Sequence, residues 1–153
     1  MKTKNNLDPY NIKIMFVDDD PKIIARYDAW IAHIVRTIPG LKYINPVASD
    51  GIDHAISMID LSLGPSAKSL DLIITDFDMP GTGLWASKTL GLPDNGNAVA
   101  KYASLKIPNV PVIGNTGGNP ANFDTKYVSI AFSKIDDPYM LAGIIRSTLG
   151  ISR

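Results

Sequence analysis

The 153-residue sequence contains no cysteine, no glutamate and no glutamine; all fifteen acidic residues are aspartate. Without cysteine there is no disulfide, no thiolate metal site and no thiol nucleophile. The missing glutamate has no physical explanation in the sequence itself. Fifteen lysines and arginines balance the aspartates to a formal net charge of zero. Nothing therefore suggests a nucleic-acid footprint or a surface drawn to membranes. No apolar run approaches the roughly 20 residues needed to span a bilayer. The polar opening MKTKNNLDPYN lacks the apolar stretch of a signal peptide. A cytoplasmic protein is the expectation, and the length suits one domain with a real core.

What is present alternates between two periods. Residues 1–10 read as a flexible N-terminal tail and residues 11–153 as a single domain. IKIMFVDDD is a buried strand ending on three carboxylates. Pro21 then opens a helix over residues 21–38, with Asp19 or Asp20 as N-cap. KYINPVAS is a second strand, and Pro46 marks it as an edge. Ser49 or Asp50 is expected to cap a second helix, GIDHAISMIDLSL. LDLIITD is the third strand. Residues 81–109 hold a short helical piece, a break at GLPDNGN and a second piece over residues 98–105. VPVIGNTGG is a fourth strand and turn, NPANFDTK has room for one helical turn at most, and YVSIAFSK is the fifth strand. A last helix, capped around Asp136 or Asp137, closes the domain. Strands alternating with helices predict an α/β fold, a doubly wound five-stranded parallel sheet of the flavodoxin-like type.

Polar groups fall at the strand ends: Asp18, Asp19 and Asp20 after the first, Asp76 after the third, Asn115 and Thr116 after the fourth, Ser133 and Lys134 after the fifth. In a parallel sheet these ends share one edge, so residues distant in sequence converge. Carboxylates crowded in a half-buried site repel one another and favour protonation unless a cation is present. A hard divalent ion such as Mg²⁺ suits that cluster, and a lysine and a hydroxyl beside it suit phosphate oxygens. The set fits phosphoryl transfer to an aspartate.

The segments FVDDDP, DLIITDFDMPG, PVIGNT and SK, in that order, resemble the receiver domain of two-component response regulators. The resemblance covers about residues 11 to 150. It implies a Mg²⁺-dependent phosphoprotein of the phosphorelay type, a stand-alone signalling domain rather than an enzyme. Asp76 would be the phosphoacceptor, with Thr116 and Lys134 acting beside it. Asp18, Asp19 and Asp76, with the backbone carbonyl of Asp78, would hold the metal. The implied donor is a sensor histidine kinase or a histidine phosphotransfer protein, and the output is a contact with another protein, not with nucleic acid or membrane.

The departures from that family are specific. Ile135 replaces the usual proline after the lysine, and Ala131 stands at the aromatic switch position. The segment at residues 81–109 is extended, and that at residues 117–127 is shortened where receivers carry their fourth helix. Two other functions fit the same residues. One is a receiver-like binding module that works without phosphate. The other is a phosphatase of the haloacid dehalogenase type, which the Asp-x-Asp of IITDFDMPGT resembles, with Asp76 as nucleophile and Asp78 as acid/base. His33, His54, Trp30 and Trp85 read as packing or surface residues, and Trp85 is expected beside the site.

Overall fold

The computed structural model describes residues 11–151, so the tail expected over residues 1–10 lies outside the described residues. Five strands, β1 (Ile12–Val17), β2 (Ile44–Ser49), β3 (Leu72–Thr75), β4 (Val112–Asn115) and β5 (Ile130–Phe132), form one sheet in the order β2-β1-β3-β4-β5. Every pairing is parallel. The helices are α1 (Pro21–Thr37), α2 (Ile52–Leu61), α3 (Leu84–Leu90), α4 (Gly96–Lys106) and α5 (Pro138–Leu149). The expected doubly wound sheet is what forms. Among the described residues no helix is long and apolar enough to cross a membrane.

Side-chain alternation along the strands sorts the core into two layers. Ile12, Ile14 and Phe16 of β1, with Leu72 and Ile74 of β3, pack against Tyr27, Ile34, Leu141 and Ile145 of α1 and α5. Met15, Val17 and Ile73 pack on the other face, against Ile52, Ile56, Val99 and Ala103 of α2 and α4. All four residues of β3 are buried because both its faces are covered. β2 is an edge strand, where Pro46 is tolerated for want of a neighbour to receive its missing N–H.

Local signals set most of the helix starts. The Asp20 side chain caps α1 by accepting from the Lys22 N–H at 2.9 Å, with Pro21 in the first turn. Asp137 caps α5 from the Met140 N–H at 2.8 Å. The expected cap of α2 by Ser49 or Asp50 does not occur. Its cap residue is Gly51, with no side-chain bond. The Ile52 N–H instead donates to Thr82 Oγ1 at 3.0 Å, and the Asp53 N–H donates to the Thr82 carbonyl at 2.9 Å. Two boundaries also move. β5 starts at Ile130 rather than Tyr127, because the N–H groups of Tyr127 and Val128 turn back onto the Asp124 carbonyl. α4 starts at Gly96 rather than Ala98, capped by the Asn95 side chain on Asn97 N–H.

The connection from β4 to β5 carries a single 3-10 turn, Pro120–Asn122, in place of a helix. Phe123 closes that gap. Its ring lies directly over Gly114, where any β-carbon would strike it, and meets Phe77 edge-on with centroids 5.2 Å apart.

Candidate functional site

Parallel register aligns Val17 with Thr75, Thr75 with Gly114 and Asn115 with Phe132. The residues that follow these strands therefore emerge side by side. Backbone bonds continue past the strand ends and hold them there: Asp76 N–H to Val17 carbonyl at 2.8 Å, Asp18 N–H to Ser49 carbonyl at 3.0 Å, and Thr116 N–H to Phe132 carbonyl at 3.1 Å.

Asp18, Asp19 and Asp76 are brought together: each offers a carboxylate oxygen within 4.8 Å of the others. Asp18 is buried, Asp76 half-buried and Asp19 exposed. They line a cleft of about 300 Å³ with Tyr27, Asn115 and Lys134. One oxygen of Asp76 accepts from the Phe77 N–H at 2.8 Å, and one of Asp18 accepts from the Asp20 N–H at 2.8 Å. Neither bond offsets the crowding. Burial, then the charge of Asp18, pushes Asp76 up from 3.8 to about 7. Burial outweighs the Asp20 N–H bond and, with the charge of Asp19, pushes Asp18 up from 3.8 to about 6. A cluster of oxygen donors that resists carrying its own charge is the donor set a hard divalent cation relieves. The residues present fit Mg²⁺.

The other expected residues stand further back. Lys134 lines the cleft, but its side chain is 63% exposed and its ammonium lies 3.5 Å from the Asp136 carboxylate. Asp136 thus pairs with the lysine and leaves the capping of α5 to Asp137. Thr116 is buried, and its hydroxyl accepts from the Gly118 N–H at 3.1 Å. Asp78 is exposed, with a carboxylate oxygen 3.5 Å from where a β-carbon on Gly118 would lie. Ile135 follows Lys134 through a trans peptide, since no cis bond occurs among the described residues. Trp85, half exposed on α3, is not among the residues lining the cleft.

Nothing in the sequence pointed to Arg26 and Tyr27, which also line the cleft beside the expected strand-end residue Asn115. Tyr27 looks like one more apolar position in the helical repeat of α1. Its ring is indeed core, stacked on Phe16 at 4.5 Å. Its hydroxyl, however, reaches Asn115 at the end of β4. Trp30 meets Tyr27 edge-on at 6.1 Å, so it, rather than Trp85, is the tryptophan coupled to the cleft. Asn115 itself stood out in the sequence as a polar residue at the end of a strand of β-formers, but its bond to Tyr27 did not.

No protein-family profile matches the sequence, and no curated protein does. Solved structures match through their fold. A response regulator receiver domain protein from Clostridium thermocellum has a TM-score of 0.68 at 15% identity, covering 91% of this chain and 94% of that one. A CheY-like receiver domain protein from Methanospirillum hungatei has 0.66 at 17% identity, covering 91% and 94%. The response regulator TrrA from Thermotoga maritima, solved in complex with Mg²⁺-BeF, has 0.64 at 17% identity, covering 89% and 97%. The chain has the fold of response regulator receiver domains.

Proposed function

We propose that the chain is a signalling receiver that takes a phosphoryl group onto Asp76 from a phosphohistidine, with Mg²⁺ as cofactor, and signals through contact with another protein. The donor is a sensor histidine kinase or a histidine phosphotransfer protein. The observation that carries this reading is the convergence of Asp18, Asp19 and Asp76 from two separate strand ends, with oxygens within 4.8 Å. The TrrA structure, holding Mg²⁺-BeF on the same fold, supports it.

Asp18, Asp19 and Asp76, with the Asp78 backbone carbonyl, would hold the ion. When bound, it neutralises charge that builds on the phosphoryl oxygens and favours ionised carboxylates. Asp76 does the covalent work. The Phe77 N–H holds one of its oxygens, which fixes the carboxylate plane. The other oxygen forms the new bond to phosphorus as the P–N bond of the phosphohistidine breaks. The electron pair of that bond stays on the imidazole nitrogen, which takes up a proton. The exposed Lys134 then exchanges Asp136 for a phosphoryl oxygen, a better partner because it carries more charge. Thr116, whose oxygen accepts from the Gly118 N–H, would swing to donate its hydroxyl hydrogen to the same group, and the release of Gly118 by that movement is the switch.

Intact-mass analysis with Mg²⁺ and acetyl phosphate tests the reading. One phosphoryl group is expected on the wild type and none on Asp76→Asn. A wild type that takes neither acetyl phosphate nor beryllofluoride would favour the binding module that works without phosphate. Steady hydrolysis of varied phosphomonoesters would favour the phosphatase.

A further inference from the structure

Asn115, the last residue of β4, makes two side-chain bonds, and their order dictates where a third proton goes. Its amide oxygen accepts from the Ile135 N–H at 2.9 Å. A backbone N–H can only donate, so the oxygen must face Ile135 and the amide nitrogen must face Tyr27. That nitrogen can also only donate. The Tyr27 oxygen is therefore an acceptor in this bond, and its own hydrogen is left over. Among the described residues no acceptor takes that hydrogen.

The ring cannot carry its hydroxyl elsewhere. Tyr27 is 3% exposed and lies stacked on Phe16 at an interplanar angle of 23°. Tyr27 lines the cleft together with Asp18, Asp76 and Lys134, and its hydroxyl sits against Asn115, which lines it too. It also stays protonated: burial first, and then the charges of Asp18 and Asp76, push Tyr27 up to about 12 against the opposing pull of Asn115. Facing the cleft, this hydrogen has no protein partner to give up and is free to bond a stronger acceptor that enters. The acceptor that suits a cleft lined by Arg26 and Lys134, where the aspartates would hold a cation, is an anionic oxygen.

We propose that Tyr27 binds the phosphoryl group, donating its free hydroxyl hydrogen to a phosphoryl oxygen on Asp76, and that Asn115 is the positioning residue that aims it. This rests on the receiver reading and deepens it. Asn115 acts at two points at once, because Ile135 follows Lys134 in the chain. The amide that aims the tyrosine hydroxyl also ties down the loop that carries the lysine. Occupancy of the cleft is thereby felt by α1 through Tyr27, by β4 through Asn115 and by the loop before α5 through Ile135.

The test uses the full chain with tyrosine labelled with ¹³C at Cζ, Mg²⁺ and beryllofluoride as the probe. The protein has six tyrosines, and loss of one resonance in Tyr27→Phe assigns the relevant peak. Adduct formation is expected to move the Tyr27 resonance in the wild type, because its oxygen gains a charged acceptor. Tyr27→Phe keeps the ring and loses only the hydroxyl; it is expected to bind beryllofluoride about tenfold more weakly, the scale of one hydrogen bond to a charged group. Asn115→Leu, which frees the hydroxyl to rotate, is expected to weaken binding in the same direction. A wild type that takes the adduct with its Tyr27 resonance unmoved overturns this proposal and leaves the receiver reading intact. Unchanged affinity in a folded Tyr27→Phe does the same. A wild type that takes no adduct overturns both.

Discussion

To attack phosphorus as proposed, Asp76 must be ionised, yet burial and the charge of Asp18 push it up to about 7. Asp18 is pushed up to about 6. Both values lie above the 3.8 of the unfolded chain, so the folded protein binds more protons than the unfolded one between about pH 4 and pH 7. Without a cation, their contribution favours folding at low pH and is lost as pH rises through the folded values. The metal-free protein is therefore expected to melt at a higher temperature at pH 5 than at pH 8, with added Mg²⁺ helping most at pH 8. Asp76→Asn should flatten this slope; a metal-free melting temperature that rises across that range would refute the assignment. The convergence of Asp18, Asp19 and Asp76 was legible in the sequence, because carboxylates at the ends of parallel strands share one edge of the sheet. Tyr27 was not, nor were the two partners of Asn115. A tyrosine at a core position of a helix looks complete in itself, and only the packing of α1 beside β4 reveals where its hydroxyl ends.

At the scale of elements, the extended stretch between β3 and β4 reaches back to the site. The Gly96 N–H, at the start of α4, donates to the Phe77 carbonyl at 2.8 Å. A β-carbon on Gly96 would fall on the Asp76 carbonyl, so the helix start and the Asp76 backbone are in contact. Gly96→Ala is expected to cost about 1–3 kcal/mol, as overpacking of a tight contact does, and to slow phosphorylation of Asp76. Urea unfolding and the rate of adduct formation would check it; an unchanged midpoint would mean that α4 does not press on Asp76. The two helical pieces and the break between them could be read from GLPDNGN. The capping of α3 could not. Gly83 offers no side chain there, and the Asp53 carboxylate supplies the bonds, to Trp85 N–H at 3.1 Å and Ala86 N–H at 3.0 Å. A cap delivered from another helix leaves no local signature.

Across the whole molecule, the segment that the sequence shows as shortened packs down onto the sheet. Phe123 covers Gly114, and Asn97 of α4 holds the segment at both sides, donating to the Asn122 carbonyl at 3.1 Å and accepting from the Asp124 N–H at 2.8 Å. Ile130 on β5 is left half exposed beside it. On the proposed reading, a signal leaving the cleft through Thr116 would enter this short tethered loop. If Thr116 turns to the phosphoryl group, the Gly118 N–H loses its acceptor. Amide exchange at Gly118 is expected to quicken in the beryllofluoride state while Asp124, held by Asn97, stays as protected as before. Equal exchange at Gly118 in both states would place the switch elsewhere.

The sequence by itself determined the layered fold, the order of the strands along the chain and the carboxylates at their ends. Those features follow from hydrophobic period and from residues that stop strands, which act over a few positions. Tertiary structure alone decided how the site is completed. Lys134 rests on Asp136, Thr116 on Gly118, and Asn115 lies between Tyr27 and Ile135. Each of these choices is a competition among partners brought together by parallel register and helix packing. Hydrogen bonds are directional and are settled only once both ends are fixed in space.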